Sequence, residues 1–186
     1  VTDGSNNVST SSAVVTVLDT TSPNALAQDI SLYLDANGQA NITTSDIDNG
    51  SGDNCSMTLS LDQTSFDCND VGANNVILTA TDGSNNTSTA TSIVTVIDTI
   101  PPVVQVQNIT VQLDANGQAV ISTSGIDNGS TDNCTSPTLS LDKTTFDCND
   151  LGSNTVTLTS TDPANNTSSA TAVVTVEDNT APSAIS

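Results

Sequence analysis

The chain has 186 residues, and 21 acidic side chains face a single basic one, Lys143, with no histidine, for a formal net charge of −20. That balance argues against nucleic acid and anionic membrane surfaces as partners and suits small cations. Tyr33, Phe66 and Phe146 are the only aromatics, so the apolar content rests on Val, Ile, Leu and Ala; with abundant Thr, Ser and Asn this favours strands and turns over helices.

The chain opens without Met and inside a repeat, which reads as a piece of a longer polypeptide. Val1 begins no signal peptide, and no stretch is long and apolar enough to span a membrane. "TDGSNN" at 2–7 returns at 81–86 and, as "TDPANN", at 161–166. "LDANGQA" at 34–40 returns at 113–119, "LSLD" at 59–62 returns at 139–142, and "FDCND" at 66–70 returns at 146–150. The closing phrases are "VTVLDTTSP", "VTVIDTIPP" and "VTVEDNTAP". These repeats divide the chain into the last part of a preceding module (1–23), two modules of about 80 residues (24–102 and 103–182) and the start of another (183–186). Residues 1–23 carry only two strands' worth of a module, so Val14, Val15 and Val17 need further sequence or a second chain to cover them.

Within each module the apolar residues alternate. Ile30, Leu32 and Leu34 alternate with Ser31 and Tyr33, and Ile109, Val111 and Leu113 do the same. Val76, Leu78 and Ala80 follow, then Val156 and Leu158 in the second copy, and Ala170, Ala172, Val174 and Val176 close it. Period two with one apolar face predicts half-buried antiparallel strands, with "ANG" and "GSNN" as turns. Six or seven short strands per module predict an all-β chain of tandem immunoglobulin-like β-sandwiches. Short proline-bearing linkers predict an extended rod.

Cys55 and Cys68 fall in one module, Cys134 and Cys148 in the other. Without histidine or a C-x-x-C motif, zinc is disfavoured. A disulfide within each module would stabilise a thin core by about 3 kcal/mol and imply an oxidising, extracytoplasmic setting. The alternative is buried free thiols. The disulfide has a topological condition: Cys55 starts a strand leaving the upstream end, so segment 63–72 must carry Cys68 back. Lys–Asn isopeptide cross-links are excluded as a shared device, because position 63 is Gln where the copy has Lys143.

The motifs "IDNGSxDNC", "FDCNDxG", "VTLTSTDPANN" and "VTVEDNTAP" resemble the hyalin-repeat-like modules of long bacterial surface proteins of the Bacteroidetes type, over essentially the whole chain. The resemblance implies an immunoglobulin-like sandwich in a secreted, extracellular, cell-surface tandem array, and leaves gliding, adhesion and a free fibre or filament open. It also supports pairing Cys55 with Cys68 and Cys134 with Cys148. Such modules often carry another cysteine in the first strand, where this chain has Ala27 and Val106. "DTT" and "DTI" look like the Asp-Thr acceptor of O-glycosylation in that group, which makes Thr20 and Thr99 candidates.

In a rod of sandwiches the chain comes in at one end and leaves at the other. The linker, the loop after the second strand and the turn before the last strand then meet at the upstream end. This brings together Asp19, Asp48, Asp53 and Asp82 in the first module, and Asp98, Asp127, Asp132 and Asp162 in the second. Such carboxylate groups suit Ca²⁺, which takes six to eight hard oxygen ligands, so a structural calcium between consecutive modules is expected. The competing account is that these residues only build turns and keep the surface soluble. The loop is no EF-hand: Gly50 comes one place early, the closing Glu is missing and Asp46 becomes Gly125.

The expected function is a structural and adhesive rod whose partners are neighbouring modules or identical chains, surface glycans and other cells. A carbohydrate- or protein-binding module is the alternative, with Tyr33 as the one exposed aromatic candidate and Gln112 in its place in the copy. An enzyme is not expected, because no nucleophile is placed beside a base.

Overall fold

The structure, a computed structural model, describes residues 1–181. Residues 183–186, expected to open a further module, lie outside the described residues. The chain is all-β, with two sandwiches of the same topology in tandem. In the first, β1 (Ile30–Tyr33), β6 (Thr87–Ile97), β5 (Gly72–Asp82) and β3 (Met57–Leu61) form one sheet in the order β1-β6-β5-β3. Strands β2 (Gln39–Asn41) and β4 (Ser65–Asp67) form the facing sheet, which the Asn24↔Gly52 and Ala27↔Asp48 bridges extend. The second sandwich repeats this with β7 (Ile109–Gln112), β12 (Thr167–Glu177), β11 (Gly152–Thr161) and β9 (Thr138–Leu141) in one sheet. Its facing sheet has β8 (Gln118–Val120) and β10 (Thr145–Asp147), with bridges Val103↔Thr131 and Val106↔Asp127.

The first segment of each module begins beside the short sheet and then crosses to pair β1 with β6 in parallel, Ile30 opposite Val94. Alternation places Val76, Leu78, Val94 and Val96 inside the first module and Val156, Leu158, Val174 and Val176 inside the second, all at most 1% exposed. Each such side chain contributes about 1.5–3 kcal/mol on burial. Phe66 and Phe146 close the cores from the short sheets. A one-turn helix, Thr44–Ile47, links β2 to the upstream loop. Asp46 serves it by accepting the Thr43 N–H at 2.7 Å. Gly125 stands at that position in the second helix, Thr123–Ile126, so Asp46 is a local capping residue. Among the described residues no helix is long and apolar enough to cross a membrane.

Strand directions fix which residues share an end. Strand β6 leaves the upstream turn 83–86, so it runs downstream, and parallel β1 runs with it. The turn after β1, at Asp35–Gly38, therefore lies downstream, β2 returns, and β4, antiparallel to β2, runs downstream again. Strand β3 also runs downstream but ends partway, at Leu61 opposite Leu78 of β5. Residues 62–64 then cross to the short sheet and β4 continues in the same sense. The chain never turns back between Cys55 and Cys68. Cys55 lies at the upstream end of its module and Cys68 at the downstream end.

That geometry corrects the cysteine pairing. The structure bonds Cys68 to Cys134, 66 residues apart, with a Cα–Cα distance of 5.2 Å. Cys55 and Cys148 are free and exposed. Neither pairing within a module, Cys55–Cys68 or Cys134–Cys148, is present, because each would have to span the length of a sandwich.

In the leading segment the turn forms and the strand does not. Asp3 Oδ1 accepts the N–H groups of Ser5 and Asn7, both at 2.9 Å, as Asp82 Oδ1 does from Ser84 and Asn86, both at 2.8 Å. Asn6, Asn85 and Asn165 take the same left-handed backbone, φ 61°, 66° and 69°. Beyond the Thr2↔Val8 bridge the residues equivalent to β6 find no neighbouring strand. Val14, Val15 and Val17 are 93%, 83% and 89% exposed.

Candidate metal centre at the joint between modules

The linker leaving β6 brings Asp98 onto the upstream end of the second module, where it is 5% exposed. Its Oδ1 accepts the Ile100 N–H at 3.1 Å, which turns the chain toward Pro102. The Asp98 carbonyl accepts from Asn166 Nδ2 at 3.2 Å, and the same Asn166 amide donates to Asp162 Oδ2 at 2.8 Å. One asparagine thus ties the linker to the turn before β12. Asp162 is 4% exposed, and Asp132 comes in from the loop before Cys134, whose N–H donates to Asp132 Oδ2 at 3.1 Å.

Carboxylate oxygens of Asp98, Asp132 and Asp162 all lie within 4.8 Å of one another, with no Lys or Arg among them. At an effective dielectric near 20, each pair of such charges repels by on the order of 3 kcal/mol. The Asn133 carboxamide stands between two of them, one terminal atom 3.3 Å from Asp98 Oδ1 and the other 3.2 Å from Asp132 Oδ1. Its NH₂ can donate to only one carboxylate, so its carbonyl oxygen faces the other. Crowded oxygens of carboxylate and amide type are the donor set that fits Ca²⁺.

The upstream end of the first module carries the same arrangement in a looser form. Asp19, Asp53 and Cys55 lie within 4.8 Å of one another, and Asn86 Nδ2 donates to the Asp19 carbonyl at 3.1 Å and to Asp82 Oδ2 at 2.8 Å. Asp53 Oδ1 is buried without a hydrogen-bond partner, an orphaned acceptor of the kind a cation satisfies. The Asp19 carboxylate, through a hydrogen bond and its charge, holds the Cys55 thiol above its ordinary pKa, and burial, Asp53 and Asp82 add to this.

Of the expected sets of four, the second keeps Asp98, Asp132 and Asp162, and the first keeps Asp19 and Asp53, joined by Cys55. Asp48 and Asp127 are not in the clusters, because each is used inside its own loop. Asp48 Oδ1 accepts the Ser51 N–H at 2.9 Å, and Asp127 Oδ1 accepts the Ser130 N–H at 3.0 Å and hydroxyl at 2.5 Å. The Ser130 hydroxyl, with its N–H and against the opposing effect of burial, holds Asp127 below the usual carboxylate range. Asp82 also falls outside the first trio, although its oxygens accept from Asn86 just as those of Asp162 accept from Asn166. Asn86, Asn133 and Asn166 were not among the expected site residues. The signal for two of them is in the chain: each closes a "TDxxNN" turn kept at every copy. Thr20 and Thr99 are exposed on the linkers.

A disulfide beside the cluster fixes the joint covalently. Cys68 rides on a 3-10 turn, Cys68–Asp70, in which Asp67 Oδ1 accepts the Asn69 N–H at 2.7 Å and Asp70 Oδ2 accepts the Asp67 N–H at 2.9 Å. This turn sets the sulfur against Gly38 of the downstream turn. Gly38 has φ +70°, and a Cβ there would run into the Cys68 sulfur and come within 2.9 Å of the Asn133 carbonyl of the next module. Glycine lets the two modules meet this closely.

No protein-family model matches the chain, and no curated protein is similar to it at a significant level. Solved structures match the chain only at low similarity. Human mucin-like protocadherin EC1-2 is 12% identical with a TM-score of 0.43, covering 84% of this chain and 98% of that one. Drosophila N-cadherin EC1-4 is 12% identical with a TM-score of 0.41, covering 84% and 50%. Protocadherin gamma B7 extracellular cadherin domains 1–4 is 16% identical with a TM-score of 0.38, and the chain spans 51% of it.

Proposed function

We propose that the chain is the repeat region of a secreted bacterial surface protein, of the hyalin-repeat-like kind, forming a calcium-stiffened extracellular rod or filament with a structural and adhesive role. Its repeating units are residues 24–102 and 103–182, and residues 1–23 belong to a preceding unit. The observation that carries this reading is the trio Asp98, Asp132 and Asp162 at the joint, Asp98 and Asp162 buried and Asp132 half-buried, with no cationic side chain to balance it. Asp98 comes from the linker, while Asp132 and Asp162 come from the following module. A cation held by all three ties the linker to the module and sets the angle between units. Asn133 and Asn166 orient the carboxylates from either side. Asp19 and Asp53 offer the equivalent ligands one module upstream. A disulfide next to the cluster supports an extracellular, oxidising setting.

Calcium titrated into the chelator-stripped chain, followed by isothermal titration calorimetry, tests the reading. The expected result is a binding heat that Asp132→Asn abolishes at the central joint while the circular dichroism spectrum stays unchanged. No binding up to about 1 mM Ca²⁺, the weak end for extracellular modules, would contradict it.

A further inference from the structure

Each end of the two-module unit carries half of the joint seen at its centre. The downstream face of the first module presents Cys68, the Gly38 turn and Asp98. The downstream face of the second presents Cys148, the Gly117 turn and Asp178 around one concavity. The two faces match in detail. Cys68 Sγ lies 3.6 Å from the Gly38 carbonyl, and Cys148 Sγ lies 3.9 Å from that of Gly117. Gly38 and Gly117 have φ +70° and +73°, and a Cβ on Gly117 would come within 2.8 Å of the Cys148 sulfur. Asp98 Oδ1 accepts from Ile100 N at 3.1 Å, and Asp178 Oδ1 accepts from Thr180 N at 2.9 Å. The upstream faces match as well: Asp132 Oδ2 accepts the Cys134 N–H at 3.1 Å and Asp53 Oδ2 accepts the Cys55 N–H at 2.9 Å.

In the central joint a downstream cysteine and an upstream cysteine are bonded to each other. Cys148 and Cys55 are the same two groups, exposed and free, at opposite ends of the pair of modules. They cannot reach one another, and neither can reach the other cysteine of its own module.

We propose that Cys148 and Cys55 are the two halves of a repeating staple, each bonded in the assembled rod to the complementary cysteine of a further copy of this module. Every joint then holds one disulfide, and no disulfide lies within a module. The inference rests on the end-to-end stacking proposed above but not on calcium. The staple forms by thiol–disulfide exchange with a disulfide oxidant such as oxidised glutathione. The Cys148 thiolate attacks one glutathione sulfur, forming a mixed disulfide and releasing one glutathione thiolate. The thiolate of the partner cysteine then displaces the second. The two cysteines lose two electrons and two protons, and the oxidant leaves as two thiols.

The test is the full chain continued after Ser186 with a copy of its residues 107–182, refolded in a glutathione redox buffer with and without EGTA. Thiols are blocked without reductant and the bonds are mapped on non-reduced peptides. The expected map has Cys68–Cys134 and a second bond from Cys148 to the appended copy of Cys134. Two free thiols remain, Cys55 and the appended copy of Cys148. Cys148→Ser should leave the appended Cys134 copy free and the central bond intact. A free Cys148 beside an intact Cys68–Cys134 bond overturns the proposal, as does any bond from Cys148 within its own module or to Cys55. Loss of both bonds overturns it together with the central joint. An unchanged map in EGTA separates the staple from the calcium reading, since either can then fail alone.

Discussion

Cys68 and Cys134 join the downstream end of one sandwich to the upstream end of the next, with Cα atoms 5.2 Å apart. The bond spans the joint, so it acts on module arrangement as well as on stability. The oxidised chain should be lighter by two hydrogens than the reduced one, and alkylation without reductant should label Cys55 and Cys148 only. Closing a loop of 66 residues restricts the unfolded chain by about 4 kcal/mol in the chain-entropy picture. Cys68→Ser should therefore lower the free energy of unfolding by up to that amount, read from chemical denaturation of the full chain.

Ser160 supplies a second test, inside the core. It is fully buried and its hydroxyl has no partner, while the same position in the first module is Ala80. Leaving a buried hydroxyl unpaired costs about 1–3 kcal/mol. Ser160→Ala should raise the stability of the second module by about 1 kcal/mol in urea denaturation. A loss of stability would mean that the hydroxyl is satisfied.

The downstream turns give the chain a predictable acid response. Asp35 is held below its ordinary pKa by the N–H groups of Gln39 and Asn37, and Asp114 by those of Gln118 and Asn116, outweighing the effect of desolvation. A carboxylate depressed in the folded state stabilises the fold fully above its unfolded pKa, about 3.9, and loses that contribution as pH falls through the folded value. In EGTA the thermal midpoint should stay level between about pH 7 and 5 and fall below about pH 4. Asp35→Asn should lower the midpoint at pH 7 and flatten the acid limb.

The free thiol upstream reports the field of its neighbours. Asp19 raises the Cys55 pKa by hydrogen bond and charge, so little thiolate is present at pH 8. Asp19→Asn should speed alkylation of Cys55 several-fold at that pH. An unchanged rate would place Asp19 away from the sulfur in solution.

The sandwich was legible because Val76, Leu78 and Ala80, and their counterparts, alternate without interruption. Their burial follows from period alone. The joint was legible in part, because linker, loop and turn must meet at one end once the strands run up and down. Asp48 and Asp127 could not be sorted from the true neighbours of the linker by topology. Ser51 and Ser130, three residues on, claim their oxygens, and hydrogen bonding of that range decides a side chain's direction more strongly than its place in a loop. Two cysteines recurring in every module suggest a bond inside it, whereas the structure sets them at its opposite ends and bonds Cys68 to Cys134. Residues 62–64 carry the chain from β3 across to β4 in the facing sheet without reversing it, and because loops this short also close hairpins, the spacing alone does not reveal the crossing. The leading "SSAVVTV" has the pattern of β6, and among the described residues no strand lies beside it.

The central claim is that a cation at Asp98, Asp132 and Asp162 stiffens the joint. The staple must be removed to see this, so the measurement is small-angle X-ray scattering on the full chain carrying Cys68→Ser and Cys134→Ser, with Ca²⁺ and with EGTA. The account predicts a longer maximum dimension and the profile of a rigid rod in Ca²⁺, and a shorter, flexible profile in EGTA at an unchanged far-UV circular dichroism spectrum. Asp98→Ala should give the flexible profile in both. Identical profiles with and without Ca²⁺ would contradict the account and leave the acidic loops as solvated turns.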